Sequence, residues 1–204
     1  VPLVVTSVSE RTAPGEVAVR REGVVRVPDD QHGRAFVELA AKSDLSVDAT
    51  PDFVSATWEK ACWDLVGAAL STIVEVPLRE LGRRPELRAI ATTLVDECSA
   101  VAESEGAVLE VGFADTMLAA LKSSPKVVRS PMLLDREGHR RLEHDAIADA
   151  VVRAAERHEV ATPATRVVAD LLRSLSPKAR ARVLVPTLPR VWCAPTADYS
   201  PDAP

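Results

Sequence analysis

The sequence predicts a mainly helical fold with a small β extension at its N-terminal end, and three observations carry this. Between residues 50 and 175, apolar residues recur at i, i+3 and i+4 spacing over runs long enough for helices. Before residue 30, short stretches alternate apolar and polar residues around Gly and Pro. Ala, Val and Leu dominate a hydrophobic fraction of 47%, while aromatics make up only 3% of the 204 residues, which suits closely packed helices.

Residues 2–8 read as a strand. Glu16–Arg20 and Val24–Pro28 alternate around Arg21-Glu22-Gly23, a hairpin signal. Asp29 and Asp30 can cap a helix over Gln31–Lys42, with Phe36, Leu39 and Ala40 on one face. A short extended piece follows at Ser46–Ala49. Thr50-Pro51 then opens a long helix, because Thr caps well and Pro is tolerated at the first helical position. Val54, Trp58, Ala61, Leu65, Ala69 and Ile73 form its apolar stripe. Pro85 opens another helix to Glu105, with Leu87, Ile90, Leu94 and Val101 inward. Further helices cover Ala114–Leu121, Leu142–His158 and Pro163–Leu175. Beyond Ser176-Pro177, Pro186, Pro189, Pro195, Pro201 and Pro204 make an extended or disordered tail. The expected organisation is a strand-and-hairpin extension over 1–30, a helical domain over 31–176 and a Pro-rich tail over 177–204.

Twenty-five basic and 30 acidic residues give a net charge of −5 with no Lys/Arg-rich run, so a nucleic-acid partner is not expected. Cys62, Cys98 and Cys193 lack CxxC pairing and read as buried or incidental thiols of a reducing compartment. His32, His139, His144 and His158 show no HExxH spacing, so no metal site is expected. The longest apolar stretch, Leu65–Val74, falls short of the roughly 20 residues of a membrane span. With no basic-then-apolar leader, a cytoplasmic protein is expected. The eight glycines stand alone without GxGxxG or GxxxxGK, so these residues are not expected to hold a dinucleotide by themselves. Val1 in place of Met suggests a fragment, a processed chain or only the ordered part of a longer protein.

Chemistry concentrates in two segments. In Trp58-Glu59-Lys60-Ala61-Cys62-Trp63-Asp64, helical spacing places Lys60, Asp64, Gly67/Ala68 and Ser71 on one face. Small residues beside charges leave room for a ligand; a Lys60–Asp64 surface pair beside an ordinary packing stripe is the other reading. The second segment runs from Ser130-Pro131-Met132-Leu133-Leu134-Asp135 to Leu142-Glu143-His144-Asp145. On a helix, His144 points about 100° away from Glu143 and should be exposed. Arg140 and Arg141 read as a solvated basic turn.

Taken together, these segments resemble the ketopantoate reductase family. Trp58-x-Lys60 is similar to its Trp-x-Lys element, and Ser130-Pro131-Met132-Leu133-Leu134-Asp135 to its Ser-Ser-Met-Leu-x-Asp turn. Glu143-His144-Asp145 matches its Glu-Ile-Asp, and Ala150–Arg153 with His158–Pro163 matches the closing helix and its exit. The opening strand with Ala13-Pro14-Gly15 resembles the sheet extension joining the family's two domains. The resemblance covers roughly residues 2–175. It implies a C-terminal helical domain of the 6-phosphogluconate-dehydrogenase-like type, preceded in the family by an N-terminal Rossmann domain that binds NADPH. It also implies reduction of a 2-keto acid or related ketone, in pantothenate biosynthesis for the namesake reaction. Lys60 would be the general acid and Glu143 its catalytic partner. Asp64, Ala68, Ser130 and Pro131 would lie at substrate-contact positions, and a homodimer through the helical domain would be in keeping.

Three of those positions depart from the family. It usually has Asn where Asp64 and Ala68 stand, and a serine where Pro131 stands. An acceptor-only carboxylate at Asp64 would repel an α-keto acid and stabilise the Lys60 ammonium. Pro131 brings neither a hydroxyl nor an N–H. These changes leave a second expectation, a non-catalytic descendant serving dimerisation or small-molecule binding. A third is an unrelated helical interaction domain, with Lys60 and Glu143 far apart.

Overall fold

A computed structural model describes residues 1–176, and the Pro-rich tail with Cys193 lies outside the described residues. The N-terminal part holds two small sheets. Strands β2 (Val8–Ala13) and β3 (Glu16–Arg21) form an antiparallel hairpin, closed by Pro14-Gly15. Gly15 takes φ +82°, a left-handed conformation that a side chain would strain, and Pro14 pre-sets the position before it. The turn expected at Arg21-Glu22-Gly23 is therefore a misreading. Gly23 is needed for close approach instead: an added Cβ would sit 2.3 Å from the Ser7 nitrogen.

The second sheet has the order β1-β4-β5, with β1 (Val4–Val5) antiparallel and β5 (Val47–Thr50) parallel to β4 (Val25–Pro28). Helix α1 (Gln31–Ala40) makes the crossover from β4 to β5. Its N-cap is Asp30, whose carboxylate accepts from Gly33 N at 2.8 Å, and that bond holds the carboxyl below its ordinary range. Gly33 must be small, since an added Cβ would clash with the Pro28 carbonyl. Leu39, expected inward, is 78% exposed, because the helix seats itself through Gly33 and Ala40.

The long helix starts two residues later than expected. Thr50 is committed to β5, opposite Pro28, so Asp52 becomes the cap of α2 (Phe53–Trp63) and accepts from Ser55 N at 3.0 Å. The chain then widens into a π-helix over Asp64–Leu70 before returning to α geometry in α3 (Ser71–Val74). After α4 (Leu78–Arg83) comes α5 (Pro85–Ser104), a central helix packed against α2, the π segment, α4 and α6 (Phe113–Ser123). Leu94 and Val101 of α5 are fully buried, whereas Ile90, expected inward, is 44% exposed. Val54 likewise faces out.

Helix α7 (Pro131–Glu137) follows, then α8 (Ala148–Arg157) and α9 (Pro163–Leu175). The helix expected from Leu142 begins only at Ala148, and residues 142–147 form an irregular turn. A buried carboxylate ties α9 down: Glu97 of α5 accepts from Ala164 N, Thr165 N and Thr165 Oγ1 at 2.7–2.8 Å. It thereby satisfies N–H groups that a helix start leaves without partners. The core gathers Leu65, Leu81, Leu94, Met117, Leu118, Leu142 and Leu172 into one cluster. Among the described residues, no helix is long and apolar enough to cross a membrane, and no cluster of metal-ligating side chains forms.

Candidate active site

Lys60 lies in the last turn of α2 and Asp64 is the first residue of the π segment. Their side chains form an ion pair, and each is about one-third exposed (34% and 33%). The neighbouring Glu59 is held by Arg26 of β4 at 3.1 Å, which fixes this stretch of helix against the sheet.

The π segment corrects the single-face expectation. In it each turn holds an extra residue, so positions four apart no longer superpose. Lys60 and Asp64 remain accessible, while Gly67, Ala68 and Ser71 turn into the core. The hydroxyls of α3 stabilise the widened turn. Ser71 Oγ donates to Gly67 O at 2.5 Å and Thr72 Oγ1 to Ala68 O at 2.7 Å.

Ser71 also meets the second segment, its hydroxyl lying 2.9 Å from Ser130 Oγ. Ser130 is the N-cap of α7, accepts from Leu133 N at 3.2 Å and is 3% exposed. Its hydroxyl is thus occupied and buried, and a substrate would have to displace these partners to reach it. Pro131 stands exposed at the first helical position, where its missing N–H costs nothing. From the same helix, Arg136 donates to the carbonyls of Thr72 and Ile73 and pairs with Glu75. The Ser130 turn and the end of the lysine helix are therefore locked together.

Glu143 stands on the irregular turn before α8, exposed, and its carboxylate has no partner among the described residues. Lys60 and Glu143 share neither a hydrogen bond nor an ion pair. His144 is not exposed as expected: its ring is 14% exposed and bonds Asp149 through Nδ1 at 2.9 Å. The reason is that Glu143 and His144 are not on a helix, so helical divergence does not apply to them. Arg140 pairs with Asp135 at 2.6 Å and Arg141 with Asp145 at 3.4 Å, both as solvated pairs.

Cys62 and Cys98 are free and fully buried on facing helices, and the neighbouring Cys98 thiol together with burial pushes the Cys62 thiol up. That makes Cys62 a core residue rather than a nucleophile. A separate cleft of about 390 Å³ lies between the ends of α3, α7 and α9, lined by Glu75, Arg136, Glu137, His139, Arg140 and Leu175. It includes neither Lys60 nor Glu143. The π segment and the His144–Asp149 bond escape sequence reasoning. The run Gly67-Ala68-Ala69 is compatible with a widened turn but does not demand one.

The family model described as ketopantoate reductase PanE/ApbA C terminal matches residues 52–176. A 2-dehydropantoate 2-reductase of Mycobacterium tuberculosis (strain ATCC 25618 / H37Rv) is 34% identical over 177 residues, 86% of this chain and 59% of that protein. The chain thus spans about three-fifths of the length of the curated relatives it matches. Among solved structures, a PanE/ApbA family ketopantoate reductase from Ralstonia eutropha JMP134 superposes with a TM-score of 0.76 at 26% identity, covering 85% of this chain and 58% of that one. A D-mandelate dehydrogenase bound to NADH and anilino(oxo)acetate superposes with a TM-score of 0.74 at 25% identity, covering 84% and 58% respectively.

Proposed function

Because this chain belongs to the ketopantoate reductase family, we propose that it is the substrate-binding part of an NADPH-dependent reductase that converts a 2-keto acid or related ketone to the alcohol. The observation that carries this reading is the accessible Lys60, placed at an α-to-π junction and held by Asp64. π turns recur at functional sites because they reorient side chains at the cost of regular hydrogen bonding.

The described residues do not fit a dinucleotide. Gly15, Gly106 and Gly112 take positive φ in separate turns with open space around them, and none belongs to a GxGxxG strand–turn–helix. NADPH would supply the hydride from a nucleotide-binding domain that precedes this region in the family. The contribution of these residues is the proton. Lys60 Nζ would donate to the carbonyl oxygen as charge develops on it, exchanging the Asp64 carboxylate for the substrate. Asp64 keeps Lys60 oriented beforehand. Glu143 would orient Lys60 or hold a substrate hydroxyl, with its exposed carboxylate brought to the site by closure around the substrate. Ser130 acts as a cap that sets the floor, and Ala68 as the small residue behind Asp64. Pairing of two copies through the helical domain belongs to the same reading.

The lack of a bond between Lys60 and Glu143 also suits a second reading, a non-catalytic descendant used for dimerisation or small-molecule binding. Lys60→Ala in the full-length protein separates the two. A reductase should lose about 10²- to 10⁴-fold in turnover with cofactor affinity unchanged. Turnover that survives the substitution would remove Lys60 from the mechanism.

A further inference from the structure

We infer that His144 is a positioning residue that fixes the Glu143 carboxylate, a role that rests on Glu143 serving as the partner of Lys60. Residues 142–147 have no helix to order them, yet the turn is held from two helices, α8 and α9. Asp149 in the first turn of α8 takes the His144 ring on one oxygen at 2.9 Å and Arg173 of α9 on the other at 2.7 Å. The backbone closes the same ring, because Asp149 N donates to His144 O at 3.1 Å and Ile147 N to the same oxygen at 3.3 Å. Arg153 of α8 holds the Asp145 carbonyl at 2.9 Å.

The consequence is directional. His144 and Asp149 are each 14% exposed, so the ring is anchored inward at a side chain that is itself held by a third element. Glu143 is the adjacent residue: its carbonyl accepts from Ala146 N at 3.2 Å, while its exposed carboxylate has no partner among the described residues. With His144 held at its ring and carbonyl and the Glu143 carbonyl bonded to Ala146 N, the backbone at Glu143 is restricted, and the carboxylate is presented without using either oxygen. A carboxylate only accepts, so the ring nitrogen facing Asp149 carries the proton, and the brace holds with the ring neutral or charged.

The test uses His144→Leu and His144→Asn, the second keeping a donor where Nδ1 stands. Two readouts apply in the full-length protein: amide exchange at Ile147 and Asp149, and steady-state reduction of a 2-keto acid by NADPH. His144→Leu should speed exchange at both amides at least tenfold. It should also lower kcat by about ten- to a hundredfold with KM within twofold, as a misplaced catalytic group does. His144→Asn should restore most of both. Unaltered exchange in His144→Leu overturns the brace. Accelerated exchange with unchanged kcat overturns the positioning role. A wild-type protein with no turnover removes the reductase reading, and with it the positioning role, while the exchange result still measures the brace.

Discussion

Asp64→Asn removes one negative charge while keeping almost the same shape, and so tests whether Asp64 selects against a negatively charged substrate, as the proposed function implies. The Lys60–Asp64 pair is about one-third exposed on both sides, so neither bulk water nor a dry interior describes it. A substrate carboxylate roughly 6 Å from Asp64 would be repelled by about 3 kcal/mol at an effective dielectric of 20, and by about 0.7 kcal/mol at that of water. Screening by the Lys60 ammonium and by solvent places the relief between these limits, near 1.4 kcal/mol, or about tenfold in affinity. The assay is steady-state loss of NADPH absorbance in the full-length protein, with a 2-keto acid and an uncharged ketone of similar size. Asp64→Asn should lower KM for the keto acid about tenfold relative to the uncharged ketone. Its kcat should hold, since the amide oxygen of Asn still accepts from Lys60 Nζ. Equal KM changes for both substrates would refute the electrostatic argument, and so would a rise confined to the keto acid.

Two further outcomes concern stability. Glu97→Ala should destabilise the chain by about 3 kcal/mol, because it strands two backbone N–H groups and a hydroxyl at the start of α9. Urea unfolding measures it, and a loss below about 1 kcal/mol would show that water replaces the carboxylate. For acid sensitivity, the Arg157 hydrogen bond, with a smaller contribution from His158, holds the Glu105 carboxyl below its ordinary 4.5. A depressed folded value means that this contribution is complete above 4.5 and lost as pH falls through the folded value. Glu105→Gln should therefore flatten the acid limb of the stability profile below 4.5 and leave the neutral region unchanged in shape; an unchanged acid limb would mean that the network is too well solvated to matter.

The sheet and helix classes were legible because each depends on local chemistry. Asp30 caps α1, Pro85 opens α5 and Pro163 opens α9 as the residue types dictate. The family-bearing motifs were legible for the same reason: they are contiguous runs of residues. Other features depend on partners far along the chain. Thr50 could cap a helix, but pairing with β4 claims it and hands the cap to Asp52. Leu39 and Ile90 follow a helical pattern yet face out, because which side of a helix meets the core depends on its neighbours.

For Lys60 and Glu143, the sequence by itself determined identity, order and the charge of Asp64 beside them. Tertiary structure decided how they are presented. The π segment buries Ala68 and leaves Asp64 at the surface with Lys60, through hydroxyls of Ser71 and Thr72 that no spacing rule anticipates. The unwound turn before α8 exposes Glu143 and anchors His144, through a carboxylate held in turn by Arg173 of another helix. Residue types encode local preference, but the direction in which a side chain points follows from the sum of contacts made at long range.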